Sequence, residues 1–302
     1  MHPPFSIIFF TVITGMGYGA LTWLGLLPLT ATTVSGQTLI ISLCICLITV
    51  TSGLLSSILH LANKKNAWLA LSQIKTSWLS REGLVALILF PVAISYGAAS
   101  SYLANAGTVT ALGLLLAANA IAVIFCTSMI YASLKTVPQW HTKLTPSSYL
   151  LLGFSSGALF LNAVLVSTRD ETLPVALFLG CGVAAITVKA LHWRALGKPG
   201  PVTVKSALGI SHASMLLLDT GHGSKNFIEK EFCYDVGPRT QRQARVIVIV
   251  LLVGALLLGS LAVMRDSWIV ACSACVTSLL GIFLERWLFF VEAKHVVRKY
   301  YE

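Results

Sequence analysis

The chain has 302 residues, of which 56% are hydrophobic and only 11% charged, with a formal net charge of +10. Soluble domains carry about 25% charged residues, so this chain lacks the charge to cover a soluble surface. That excludes a secreted disulfide module, a disordered regulator and a cytosolic enzyme, and it points to an integral membrane protein.

The first charged side chain is Lys64, so the sequence from residue 5 to residue 61 is nearly uninterrupted apolar chain with a polar turn around Pro28–Gln37. A membrane-spanning helix needs about 20 apolar residues. Eight such stretches follow in order, over about 5–27, 37–61, 83–103, 108–134, 147–167, 173–193, 246–264 and 268–291. Backbone satisfaction in lipid makes them helices. The alternating ten-residue strands of a barrel are absent. The expectation is an all-α, polytopic bundle of eight transmembrane helices, one membrane domain over 1–302. The opening MHPPFSIIFF has no basic n-region and no clear cleavage site, so the first helix is expected to be retained.

The basic residues set the topology. Lys64, Lys65, Lys75 and Arg81 lie in the second connection, and Lys135 and Lys143 in the fourth. Arg194, Lys198, Lys205, Lys225, Lys230, Arg239, Arg242 and Arg245 lie in the sixth, over 194–245, and Lys294, Arg298 and Lys299 in the tail. Eight helices put all of these on one side, against Arg169 and Arg265 on the other. Basic loops mark the cytoplasmic face, so both termini are expected there. The +10 is thus a one-sided face and not a nucleic-acid signature, although the same residues can also meet an acidic partner or anionic lipid. In the second connection Ala67, Leu71, Ile74 and Trp78 recur at helical spacing, which predicts a helix lying in the membrane interface.

Cys272-Ser-Ala-Cys275 is formally a CxxC, but it stands alone in an apolar span. It reads as small residues packing between helices. No metal site is expected. None of the seven histidines falls in mid-membrane, a poor pattern for a haem. No phosphate-binding loop, dinucleotide fingerprint, zinc-protease motif or nucleophile elbow occurs.

What remains is a small polar group at one face. His60 closes the second helix and Glu82 opens the third, and the connection returns the chain to the same face. An ionisable group at membrane depth is expensive and is a functional hypothesis by default. A pair placed so can accept and release protons. The alternative is that both cap helices, with Ser80 ahead of Glu82. Glu285 and Arg286 lie about two turns inside the last helix and read as structural glue, or as lining of the same cavity.

The segment His60-Leu61-Ala62, then Ala67-Trp68, then Ser77-Trp78-Leu79-Ser80-Arg81-Glu82 resembles the membrane anchor subunit of dimethyl sulfoxide reductase, which carries a histidine and a glutamate at this separation. Tyr131–Trp140 and Thr145-Pro146 are similar to its loop between helices 4 and 5, and Glu285-Arg286-Trp-Leu-Phe-Phe to its last helix. The stretch from Thr220 to Phe232 looks more like the branch that holds the anchors of cytoplasmic sulfite-oxidising complexes.

The resemblance implies an anchor in the bacterial inner membrane. On its cytoplasmic side it would hold an iron–sulfur electron-transfer subunit joined to a molybdopterin catalytic subunit. It would bind quinone (ubiquinone or menaquinone) and carry no haem or iron–sulfur cluster itself. His60 and Glu82 would be the proton-exchanging groups of the quinone site, with Trp78 and Arg81 as neighbours. The expected activity is sulfite oxidation with quinone reduction. A reductase anchor that oxidises menaquinol is the alternative. A purely structural tether is another reading, and so is a secondary transporter, for which broken helices with mid-membrane charges would be expected.

Overall fold

A computed structural model describes residues 4–30, 32–59, 69, 71–101, 105–196, 209, 234 and 236–297. Eight long helices account for most of them: α1 (Phe5–Leu26), α2 (Gly36–Leu59), α3 (Trp78–Ser101), α4 (Ala106–Ala132), α5 (Leu144–Thr168), α6 (Val175–Leu196), α7 (Pro238–Arg265) and α8 (Trp268–Val291). Each is long and apolar enough to cross a membrane. No strand occurs among the described residues. The all-helical, eight-span class expected from the sequence is the observed one.

Two helices begin earlier than the apolar stretches do. α3 starts at Trp78, not near residue 83, and α7 starts at Pro238, not near 246. Hydropathy marks where a helix enters lipid, not where its hydrogen bonding begins. Arginine, glutamine and glutamate are good helix formers; Arg239, Gln241, Arg242 and Gln243 carry α7 beyond its apolar stretch, and Arg81 and Glu82 carry α3. Pro238 sits in the first turn of α7, where a missing N–H does no harm. Trp78 therefore belongs to a transmembrane helix and not to a separate interfacial one. Of that interfacial helix, residues 61–68 and 70 lie outside the described residues, and 71–73 form one 3-10 turn.

α1 and α5 are the most buried spans and form the centre of the bundle. They approach backbone to backbone. A Cβ on Gly19 would run into the Gly153 carbonyl, and one on Gly157 into the backbone of Gly19 and Ala20. Small residues allow this approach, which is how membrane helices gain packing without a hydrophobic driving force between them. α3 packs chiefly on α4, α6 on α5, and α7 on α8, with a thinner contact between α2 and α3.

The connections split between two faces. The ends of α2, α4, α6 and α8 and the starts of α3, α5 and α7 share one face, here called the loop-rich face. There Trp140 Nε1 donates to the Phe289 carbonyl at 2.9 Å, and His192 Nε2 donates to the Gln139 carbonyl at 3.0 Å. The Val296 N–H donates to the Thr136 carbonyl at 2.9 Å. The α4–α5 connection is thus strapped to α6 and to the chain beyond α8. On the opposite face the Thr33 N–H donates to Glu171 at 2.6 Å and the Ser35 hydroxyl to Asp170 at 3.1 Å.

Candidate functional site

Glu82 lies one turn into α3 from the loop-rich face and is buried, with 3% of its surface exposed. It points at α4, where the Thr127 hydroxyl donates a short hydrogen bond to its Oε1. Thr127 also reaches the Val123 carbonyl of its own helix, at 3.0 Å. A hydroxyl has one proton and can accept as well as donate. An ionised Glu82 accepts from Thr127. A protonated Glu82 donates to Thr127, whose own proton then turns to Val123. The site is built to hold either form of the carboxyl without moving a helix.

Trp78 stands one turn before Glu82 on the same face of α3 and packs edge-on against Phe125 of α4, with centroids 6.0 Å apart. The Arg81 guanidinium lies 4.3 Å over the Trp78 ring. It also donates to the Ile74 carbonyl at 2.9 Å and the Lys75 carbonyl at 2.7 Å. Those bonds turn it toward the α2–α3 connection, and it forms no ion pair with Glu82. Trp78 and Arg81 are brought together, Glu82 stands one turn along the helix facing α4, and His60 lies outside the described residues. Leu79 and Phe125 are exposed on the outer surface of α3 and α4 beside them, an apolar approach from the lipid.

Three carboxyls near this face are buried, and their partners differ. Glu285 of α8 is ion-paired with Lys189 of α6 and, at 3.2 Å, with its neighbour Arg286. Glu292, just beyond α8, meets Arg245 of α7 at 2.7 Å. Burial pushes the Glu292 carboxyl above its ordinary value, and the Arg245 guanidinium opposes that shift. Among the described residues Glu82 forms no ion pair, and its described partner is a neutral hydroxyl. Burying a charge without a counter-charge is costly, so Glu82 is the carboxyl of the three whose place packing alone does not explain.

Around the Glu285 group the Arg286 guanidinium lies 3.5 Å over the Tyr149 ring, within a cluster of Tyr131, Trp140, Tyr149, Phe289 and Phe290. Glu285 and Arg286 are structural glue in this sense, closing α8 onto α5 and α6. The sequence reading missed Lys189, although the signal was present: a lone lysine in an apolar span, three residues before His192. It also missed Thr127, for which no sequence signal exists, since threonines are common in these helices.

Among the described residues no group of three or more His, Cys, Asp or Glu side chains could hold a metal ion. The six described cysteines are free thiols.

A family model and a known relative are similar to this chain. The family model described as "DMSO reductase anchor subunit (DmsC)" matches residues 1–291. The C-subunit of sulfite dehydrogenase from Allochromatium vinosum is 31% identical over 326 aligned positions, which span 100% of this chain and 99% of that one.

Proposed function

Because the chain belongs to the DMSO reductase anchor subunit family, we propose that it is the quinone-exchanging anchor of a molybdoenzyme, with Glu82 as its proton-exchanging group. As a multi-pass oxidoreductase anchor it works with catalytic and iron–sulfur partner subunits. The partners dock on the loop-rich face, which is cytoplasmic in a bacterial inner membrane because seventeen basic residues mark it. The full-length likeness to a sulfite dehydrogenase subunit supports sulfite oxidation with quinone reduction over the reverse, sulfoxide-reducing direction.

The observation that carries the reading is Glu82 itself, a buried carboxyl with a neutral partner that serves both its protonation states. A quinone takes up two protons with two electrons on reduction and releases them on oxidation. Glu82 holds or yields a proton at Oε1, and Thr127 reorients its hydroxyl in response. Trp78 and Arg81 form the polar rim toward the α2–α3 connection. The exposed Leu79 and Phe125 leave an apolar approach for an isoprenoid tail. His60 is assigned as a hydrogen-bond partner for a quinone oxygen.

The test is Glu82→Gln in the intact complex. Quinone-coupled turnover should fall by about a hundredfold or more, the scale of a lost general acid–base group. The partner subunits should still co-purify, and the catalytic subunit should still turn over with a soluble dye. Normal quinone kinetics would overturn the assignment. Recovery of the chain alone, without partners, would favour a transporter.

A further inference from the structure

A cavity lies between α1, α4, α5 and α8, with about 20 Å³ open to the centre of a water molecule. That is room for one water. Its polar lining includes Thr11, Thr14, Tyr18, Thr127, Tyr149, Ser156 and Arg286. The Thr11, Thr14 and Ser156 hydroxyls are satisfied by carbonyls of their own helices. The Tyr18 and Tyr149 hydroxyls and Arg286 Nη1 are not. None of these three atoms has a hydrogen-bond partner of good geometry among the described residues, although their residues are only 1%, 5% and 2% exposed. A buried O–H and a buried cationic N–H facing one polar cavity call for a shared partner. Apolar cavities of this size stay dry, but this one offers the several polar contacts that a water needs.

Ionisable groups flank the cavity on two sides, Arg286 in its lining and Glu82 behind Thr127. Lys189, Arg286 and Glu285 together carry one surplus positive charge. Glu82 has no cation of its own among the described residues. Thr127 belongs to both sides, since it lines the cavity and donates to Glu82. Tyr131 and Tyr149 lie within electrostatic reach of both Glu82 and Arg286, while Tyr18 and Cys126 feel the Glu82 charge.

We infer that this cavity is a binding site for one internal water, held by the Tyr18 hydroxyl and Arg286 Nη1 and in contact with Thr127, and that this water links the Arg286 charge to proton exchange at Glu82. The second part rests on the reading of Glu82 as the proton-exchanging group. Arg286 donates to the water, which in turn donates to Tyr18 or Thr127. When Glu82 takes a proton, Thr127 turns toward Val123 and its oxygen becomes the acceptor for Glu82. The water must then rearrange. Arg286 is a positioning residue in this scheme, since it acts on Glu82 through the water and Thr127.

The test uses the intact complex in lipid nanodiscs. An electron-density or cryo-microscopy map that resolves waters should show one within hydrogen-bond distance of Tyr18 Oη and Arg286 Nη1. The Glu82 carboxyl band in the infrared, identified by its loss in Glu82→Gln, should move its pH midpoint by about half a unit or more in Tyr18→Phe. That change removes a hydroxyl and keeps the ring, so the fold is retained. KM for quinone should stay within about twofold while the pH profile of turnover moves with the band. A cavity without density, or a midpoint unmoved by Tyr18→Phe, overturns the inference. Water density with a shifted band, alongside normal turnover in Glu82→Gln, supports the water site and overturns the quinone reading alone.

Discussion

The Thr127 hydroxyl of α4 stands between two acceptors, the Glu82 carboxyl of α3 and the Val123 carbonyl one turn back on its own helix. That placement makes a prediction separate from removal of the carboxyl. Thr127→Val keeps the shape and removes the hydroxyl. A hydrogen bond to a charged group is worth about 1.5–3 kcal/mol, so quinone-coupled turnover should fall by about ten- to a hundredfold. Thr127→Ser should restore most of it. Steady-state kinetics on the purified complex decide the matter, and equal activity in the valine and serine variants would remove Thr127 from the mechanism.

The Lys189–Glu285–Arg286 group predicts an asymmetry in stability. Glu285→Gln leaves two buried cations without an anion, and breaking a buried pair in this way costs about 3–5 kcal/mol. Lys189→Met leaves the Glu285–Arg286 pair balanced, so it should destabilise far less. The double variant should be more stable than Glu285→Gln alone. Thermal unfolding of the three variants in one detergent tests the order, and equal losses from the two single variants would contradict it.

The α1–α5 contact predicts a steric failure. In a soluble helix an exposed Gly→Ala change stabilises by about 1 kcal/mol. At Gly157 the added methyl meets the backbone of Gly19 and Ala20, which cannot give way as a side chain can. Gly157→Ala should force α1 from α5 and lower stability by about 1–3 kcal/mol, the usual scale of overpacking. Gly36→Ala is the control, because a Cβ there meets nothing within 4 Å. A thermal scan that ranks the two variants alike would show that the helices do not approach so closely.

Asp170 predicts a local pH response. Hydrogen bonds from the Thr38 and Ser35 hydroxyls hold its carboxyl below its ordinary value. These bonds favour the ionised form, so their contribution is present above the ordinary carboxylate value and is lost as the pH falls through the lowered one. The Ser35 amide, which donates to Asp170 at 3.3 Å, should lose protection from hydrogen exchange on acidification, after correction for the intrinsic rate. Asp170→Asn should weaken that protection at neutral pH. Because Asp170 is partly exposed at the surface, global unfolding should barely change.

How much of this was legible in the sequence depended on range. The eight spans follow from composition and length, because lipid demands both. Glu82 stood out for the same reason, since charge is scarce in such a chain. Its depth was not legible: the apolar stretch begins after it, whereas the helix begins four residues before it, at Trp78. That difference moves Glu82 from a helix end to a buried turn facing Thr127. The pairing of Lys189 with Glu285 joins residues on α6 and α8 across the long 197–233 stretch, and no local pattern encodes it. The cavity depends on four helices at once and has no trace in any one of them.

The cavity walls come from widely separated parts of the chain: Tyr18 on α1, Thr127 on α4, Tyr149 on α5 and Arg286 on α8. A ribosome delivers these helices to the membrane in that order. Tyr18 is therefore inserted long before the helix that supplies Arg286 exists, and α1 must wait for α5 before its glycine face is covered. The polar interior is completed only once α8 closes against α5 and α7. Until then the nascent bundle carries buried hydroxyls without their final partners, which makes it a natural substrate for membrane quality control.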